Sequence, residues 1–306
     1  MRVFFAARAA LWDEWAPHLR AACPEMELAR EGDPASFDAL IHAPGFPETG
    51  GPLDFRPFTR ARIVQSLWAG VERIVGNDTL TQPLCRMVDP GLAQGMMEYC
   101  TGWALRAHLR MDDYAQDGVW RNGTVPPLAS ERGVTVLGMG ELGAAVARVL
   151  AGLGFRVTGW SASGRAVEGI GVLGGDRLAE ALGRAEILIS LLPDTPGTRN
   201  LLDAERLALL PQGATIINPG RGTMIDDDAL IAALDRGRLR HAVLDVFRTE
   251  PLPPGHPFWS HPGVTVTPHV AADTRPATAS LVVAENLRRA MEGRPLLYLV
   301  DRSRGY

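Results

Sequence analysis

The sequence predicts an α/β fold made of two doubly wound parallel-sheet domains. Three observations carry this expectation. Short apolar, β-branched runs alternate with helical patterns from one end of the chain to the other, which is the pattern of βαβ units and parallel sheets. Six of these runs, beginning at Val134, make a complete doubly wound domain by themselves. A chain of 306 residues also exceeds what one such domain ordinarily uses.

Taken in order, the first hundred residues offer strands at VFF (3–5), ALIHA (39–43), RIVQSL (62–67) and RIV (73–75), with a helix over about 10–22. Residues 95–118, MMEYCTGWALRAHLRMDDYAQDG in their main part, read as one long helix stopped by Gly118. A polar, proline-containing stretch, RNGTVPPLASERG, follows. The second series has strands at VTVLG, RVTGW, EILISLL, ATIIN, AVLDV and VTVTP. Its first helix, 142–153, stops at Gly154, a C-terminal cap position, and Asp203 and Asp226 are candidate N-caps of later helices. A final helix over about 276–292 leads into a tail with the short apolar run LLYLV. No internal repeat or low-complexity segment occurs.

Composition removes several chemistries. All 31 basic residues are arginine, since the chain has no lysine. Schiff-base and pyridoxal-phosphate chemistry, Walker-type phosphate loops and protein kinases all need a lysine amine. A net charge of −4 gives no electrostatic case for nucleic acid or a membrane surface. Cys23, Cys85 and Cys100 form no CxxC pair, which points to reduced core thiols in a cytoplasmic protein. The run VFFAARAAL is broken by Arg8 and makes a poor signal peptide, and no stretch of about 18 residues lacks charge. The histidines other than His269 show no metal-ligand spacing, so no metal is expected. The run Asp226, Asp227, Asp228 is what the macrodipole favours in a first helical turn.

GMGELG, comprising Gly138, Met139, Gly140, Glu141, Leu142 and Gly143, follows the strand VTVLG directly and opens a helix. That context is the one a dinucleotide-binding glycine loop requires: a tight turn at Gly138, a close pyrophosphate approach at Gly140 and close helix packing at Gly143. An acidic residue roughly 20 residues further on would accept from an adenosine ribose 2′-hydroxyl and repel a 2′-phosphate. Here the second strand ends in GWSASGR, 159–165, with no carboxylate and with Ser161, Ser163 and Arg165 as donors. The sequence therefore favours NADP(H) over NAD(H).

Hydride transfer to a 2-oxo acid needs a cation for the carboxylate, an acid near the carbonyl oxygen, a group that keeps that acid charged and a clamped nicotinamide. Three segments at predicted strand ends, where open α/β sheets place ligands, each supply one: Arg221 in INPGRG, Glu250 in DVFRTEPLP and His269 in TPHVAA.

These segments, in this order and spacing, resemble the D-isomer-specific 2-hydroxyacid dehydrogenase family. The likeness extends to the loop SLWAGVERI (66–74) and the tail DRSRGY (301–306), which look like the glyoxylate/hydroxypyruvate reductase branch, and it covers essentially the whole chain. The resemblance implies that Arg221 binds the substrate carboxylate and carbonyl oxygen through its planar fork. It makes His269 the proton donor and Glu250 the partner that fixes its tautomer and raises its pKa. Backbone N–H groups of Ala69 and Gly70 would complete the carboxylate site, and Asp245 would lie near the nicotinamide carboxamide. Leu192, Pro193, Pro219 and Ala271 are further candidate cofactor contacts.

The chain departs from the family at Trp68, where many members have a small residue; the ring either narrows the pocket or packs away from it. Arg275, six residues after His269, is a candidate second substrate cation or a surface arginine at a helix start. Trp120 is a candidate contact to a neighbouring subunit. The resemblance also implies a discontinuous flavodoxin-like substrate domain of residues 1–95 and 275–306, a Rossmann domain of residues 96–274, an active site in the cleft between them, and a homodimer. The expected reaction is NAD(P)H-dependent reduction of a small 2-oxo acid, glyoxylate to glycolate or hydroxypyruvate to D-glycerate. A larger D-2-hydroxyacid substrate and a non-catalytic cofactor-sensing module are the alternatives.

Overall fold

The computed structural model describes residues 1–48, 52–114, 118–120, 125–303 and 305. The chain divides into two compact units, Met1–Leu92 with Asp273–Tyr306, and Ala93–Ala272.

Unit 1 is built on a five-stranded parallel sheet of order β2-β1-β3-β4-β5, the flavodoxin-like order. Its strands are β1 (Arg2–Ala6), β2 (Glu27–Ala29), β3 (Ala39–His42), β4 (Val64–Ser66) and β5 (Leu84–Cys85). Alternation along β1 shows how the sheet is covered. Val3 and Phe5 join Trp15, Leu19 and Val283 in a core formed with α1 (Ala9–Ala22) and the C-terminal α7 (Pro276–Glu292). Phe4 and Ala6 face a second core with Phe37, Phe55 and Phe58. Each such fully buried side chain contributes about 1.5–3 kcal/mol.

Unit 2 contains a seven-stranded parallel sheet of order β12-β11-β10-β9-β6-β7-β8, the Rossmann order with one further strand. The strands are β6 (Gly133–Leu137), β7 (Arg156–Ser161), β8 (Gly171–Gly174), β9 (Ile187–Ser190), β10 (Ala214–Asn218), β11 (Leu239–Leu244) and β12 (Val264–Val266). The helices α2 (Pro90–His108) and α3 (Glu141–Gly152) cover one face, through Cys100, Ala104, Val146 and Leu150. The other face is covered by α4 (Leu178–Gly183), α5 (Ala204–Leu207) and α6 (Asp227–Asp235). Both faces being buried, the central strands read as nearly continuous apolar runs. Gly154 follows α3 at φ +94°, and Asp203 and Asp226 cap α5 and α6, accepting from the Arg206 and Ala229 amides.

Three expectations need correction. Residues 73–75 are not a strand: Val71 and Ile74, three apart, both point into the core, and the Val75 amide bonds the Val71 carbonyl in a single helical turn. The long helix spans 90–108 and not 95–118. It starts where Asp89 and Pro90 provide a cap and a first-turn proline, and it ends at Arg110, which takes φ +54° and pairs with Asp113 as Arg106 pairs with Asp112. Within the polar stretch after it, residues 121–124 lie outside the described residues. Unit 2 has a seventh strand, β8, hidden in the sequence because two of its four residues are glycine.

Asp89, 1% exposed, ties the starts of two helices in unit 1. Its Oδ1 accepts from the Gly91 amide at 3.1 Å, and its Oδ2 accepts from the Leu92 amide at 3.0 Å and the Arg275 amide at 3.1 Å. Replacing Asp89 with Ala is expected to lower stability by about 2–3 kcal/mol, since it removes the cap of α2 and a buried bond to the residue that precedes α7. Urea denaturation measures this, and a loss within experimental error of zero contradicts it.

Candidate active site

The strands of unit 2 are parallel, so their C-terminal ends gather on one edge, and the loops leaving them carry the candidate residues. Gly138 takes φ +97°, and a Cβ there would lie 2.6 Å from the Leu191 carbonyl oxygen. At Gly143 a Cβ would meet the Gly138 carbonyl oxygen at 1.7 Å, so only glycine allows α3 to start this close to β6. Gly140 is different: nothing lies within 4 Å of the position a Cβ would take. It is exposed and stands as the N-cap of α3 with no side-chain cap. The first-turn amides therefore face open space beside a loop with room for a phosphate.

The remaining cofactor candidates are distributed around this loop. Met139 packs its side chain where Gly159 on β7 leaves space, so only its backbone borders the loop. Glu141 is exposed and Leu142 half-buried in the first turn of α3. Ser161 ends β7 with its Oγ buried and without a hydrogen-bond partner. Ser163 and Arg165 are exposed in the next loop, where Ser163 Oγ accepts from the Arg165 amide at 3.4 Å. Leu192 and Pro193 follow β9, and the Pro193 carbonyl accepts from Thr198 at 2.6 Å. Pro219 is buried just after β10. An uncapped helix start, an open glycine position and a buried orphan hydroxyl at the β7 end are features that a bound dinucleotide would satisfy.

Arg221, Glu250 and His269 come from the ends of β10, β11 and β12. Gly222 explains how the first two meet: a Cβ there would lie 2.1 Å from the Phe247 carbonyl carbon, so the loops touch backbone to backbone. Asn218 fixes the Arg221 loop, with its Oδ1 accepting from the Gly220 amide and its Nδ2 donating to the Arg221 carbonyl, both at 3.1 Å. Arg221 Nη1 donates to the Gly220 carbonyl at 2.8 Å.

His269 Nδ1 lies 2.8 Å from Glu250 Oε2, and Glu250 Oε1 accepts from the Phe247 amide at 2.9 Å. The Glu250 bond raises the His269 pKa above its ordinary value; burial opposes this, and the charges of Glu250 and Asp245 outweigh the opposing Arg221. For Glu250, burial works against ionisation, but the bonds from His269 and the Phe247 amide outweigh it and hold the carboxyl below its ordinary pKa. With Nδ1 committed to a carboxylate, Nε2 is the nitrogen available to hand over a proton. The side chain of His269 is about half exposed, so the group is reachable.

Asp245 is fully buried. Its Oδ1 accepts from Thr267 Oγ1 at 2.5 Å and the Val270 amide at 3.0 Å, and its Oδ2 accepts from the Ala271 amide at 2.9 Å. One acceptor site on Oδ2 is left for an outside amide. Sequence reasoning found Asp245 and Ala271 but not Thr267, Asn218 or Phe247, whose parts consist of bonds to residues distant in sequence.

Trp68, Ala69, Gly70 and Arg275 belong to unit 1. The first three follow β4 in a loop held by Ser66 Oγ, which bonds both the amide and the carbonyl of Trp68 at 3.1 Å. The Trp68 ring is partly buried and packs against the core that includes Phe5, Trp15 and Val283. Arg275 is the exposed N-cap residue of α7. Trp120 is 92% exposed, and Arg304 and Tyr306 of the tail lie outside the described residues.

Replacing Gly143 with Ala is expected to destabilise the protein by about 1–3 kcal/mol through overpacking against Gly138. Dinucleotide affinity should weaken with it. Denaturation and equilibrium binding check both, and unchanged values contradict the loop geometry.

Comparison with known proteins follows the same lines. Residues 103–271 match the family model for the NAD-binding domain of D-isomer specific 2-hydroxyacid dehydrogenases. Glyoxylate/hydroxypyruvate reductase A of Serratia proteamaculans (strain 568) is 40% identical over 258 residues, covering 81% of this chain and 82% of that protein. The crystal structure of a D-isomer specific 2-hydroxyacid dehydrogenase from Xanthobacter autotrophicus Py2, in complex with NADPH and MES, is similar with a TM-score of 0.92 and 38% identity, covering 100% of this chain and 99% of that one. The NADPH-dependent glyoxylate/hydroxypyruvate reductase of Sinorhizobium meliloti, in complex with NADP and sulfate, gives a TM-score of 0.86 and 34% identity with the same coverage.

Proposed function

Because the chain belongs to the D-isomer-specific 2-hydroxyacid dehydrogenase family, we propose that it reduces a small 2-oxo acid with NADPH, glyoxylate to glycolate or hydroxypyruvate to D-glycerate. The observation that carries this reading is the 2.8 Å contact between His269 and Glu250, placed at strand ends beside the Arg221 loop. A cofactor-sensing module has no use for an acid of this kind. The relatives named for glyoxylate and hydroxypyruvate support the substrate class.

When bound, the reduced nicotinamide supplies a hydride from its C4 to C2 of the oxo acid. The chain's own residues supply the rest. His269 gives the proton on Nε2 to the carbonyl oxygen, so that a C–H and an O–H bond replace the carbonyl π bond. Glu250 stays ionised and balances the imidazolium before transfer. Arg221 offers a planar set of donors to the carboxylate and the developing alkoxide, which a point charge could not match. Asp245 has one acceptor site free for the nicotinamide carboxamide, and the amides of Ala69 and Gly70 enter the proposal through the family pattern alone. Arg275 is assigned no step.

The absence of a carboxylate in 159–165, the donors Ser161, Ser163 and Arg165, and relatives crystallised with NADPH or NADP support NADPH as the coenzyme. Exposed Val119, Trp120, Val125 and Leu128 give a homodimer an apolar surface to cover. Three buried free thiols agree with a reducing compartment, the cytoplasm. No helix among the described residues is long and apolar enough to cross a membrane.

NADPH oxidation followed with glyoxylate, hydroxypyruvate, pyruvate and an aromatic 2-oxo acid tests the reading. Turnover fastest with the first two, at a higher kcat/KM for NADPH than for NADH, is expected. No turnover with any acid overturns the activity, and a preference for the aromatic acid or for NADH overturns the corresponding part.

Replacing His269 with Ala should lower kcat by about 10²- to 10⁴-fold with NADPH affinity nearly unchanged, and retained turnover would mean another residue is the acid. Reduction needs the protonated imidazole, so its rate should fall as pH rises through the elevated His269 pKa. Replacing Glu250 with Gln should move that fall to lower pH.

A further inference from the structure

His269 reaches Glu250 from an unusual backbone position. Its φ is +55°, in the left-handed region that side-chain-bearing residues seldom adopt and that persists only where the surroundings impose it. Here Asp245 supplies most of the bonds that do so. Its carbonyl accepts from the His269 amide at 2.9 Å, and its carboxylate accepts from Thr267, Val270 and Ala271. Three of the bonds that fix the turn from 267 to 271 therefore end on a carboxylate that is itself fully buried, beside the backbone bonds from the His269 amide to the Thr267 carbonyl and from the Thr267 amide to the Leu244 carbonyl.

The chain of bonds does not stop at Asp245. Thr267 Oγ1 has given its single proton to Asp245 Oδ1, so toward Tyr99 it can only accept. The Tyr99 hydroxyl, on α2 and 168 residues away in sequence, lies 2.7 Å from it and must be the donor. Burial pushes the Tyr99 phenol well above its ordinary pKa, which keeps this donor protonated wherever the enzyme works. The Tyr99 ring stands 6.2 Å from that of Trp103 on the same helix. The direction of the chain is thus set throughout: Tyr99 to Thr267, Thr267 to Asp245, with the backbone amides closing on the carboxylate.

We propose that Tyr99 and Thr267 are positioning residues for His269, orienting the Asp245 carboxylate so that the left-handed turn at 269 holds the imidazole against Glu250. This rests on the reading of His269 as the proton donor. Neither side chain is needed to touch substrate or cofactor. Their effect is transmitted through Asp245 alone, and it falls on how well the acid is placed.

The charged groups facing His269 are Glu250 and Asp245 from the β11 end and Arg221 from the β10 loop, with Tyr99 neutral on α2. A turn that loosens moves the imidazole from Glu250, its strongest pKa-raising partner. The alkaline fall of the reduction rate then shifts to lower pH. A merely structural role for the two hydroxyls would lower stability and leave that profile where it is.

The experiment compares the full-length wild type with Tyr99→Phe, Thr267→Val and Thr267→Ser, using saturating NADPH and the best substrate of the panel, with kcat and the pH profile measured for each. Wild-type turnover and its loss in His269→Ala come first; if either fails, the reading of the site fails, and the positioning proposal falls with it for that separate reason. With both in place, the expected kcat loss is about 3-fold for Tyr99→Phe and about 30-fold for Thr267→Val, the range for removing a neutral bond and for stranding a buried acceptor. The alkaline limb should move to lower pH, and Thr267→Ser should restore both kcat and the limb. Thr267→Val within 2-fold of wild type, or a loss with an unmoved alkaline limb, overturns the proposal while leaving His269 as the acid. If Thr267→Val does not fold, Tyr99→Phe, which keeps the ring, decides by the same criteria.

Discussion

The hydrogen bond between His269 and Glu250 joins loops that leave two different strands, and its 2.8 Å length depends on several close fits. The sheet must hold β11 and β12 in parallel register, as it does from Ala242↔Val264 to Leu244↔Val266. Gly222 must let the Arg221 loop press against the Phe247 backbone, because the Phe247 amide fixes the second oxygen of Glu250. Asp245 must hold the turn that carries the histidine. A carboxylate with one oxygen on an amide and the other on an imidazole stays ionised, and an ionised partner at that distance makes the histidine a stronger base. An elevated pKa in this position is what a proton donor at neutral pH needs. The apolar strands, the glycines and the buried aspartate all serve that one contact.

A lysine-free chain runs this chemistry without a deficit. The substrate cation has to match a planar carboxylate and an adjacent carbonyl oxygen, and a guanidinium does so with paired donors, whereas an ammonium offers a point charge. The same composition shapes the surface. Among the described residues, the surface ion pairs that do not use histidine join an arginine to a carboxylate, as in Arg56 with Asp54 and Arg288 with Glu25. Such exposed pairs add little stability individually; the stability comes from the two cores on each sheet.

Much of this was legible in the sequence because parallel strands buried on both faces leave uninterrupted apolar runs. ATIIN and EILIS could hardly be anything else. The short edge strands β2, β5 and β8 left no such run, and RIV at 73–75 carries strand-like residues whose spacing to Val71 is helical. The site was legible to the extent that it is local. Arg221, Glu250 and His269 each sit in a motif that marks a strand end, and the glycines of 138–143 announce the turn they make. The bonds made by Tyr99, Thr267 and Asn218 were not legible, since each goes to a residue that its own neighbourhood does not predict. Trp68 shows the same limit from the other side: its packing against the unit 1 core could not be read from the loop that carries it.

The proposed chemistry depends on an imidazole at His269 whose Nδ1 proton is held by Glu250. An NMR titration of the His269 imidazole in the wild-type protein and in Glu250→Gln measures this directly. The expected result is a pKa above the ordinary histidine value of about 6.5 in the wild type, and a lower one in the variant. A wild-type value at or below the ordinary one, or no fall on replacing Glu250, would contradict it.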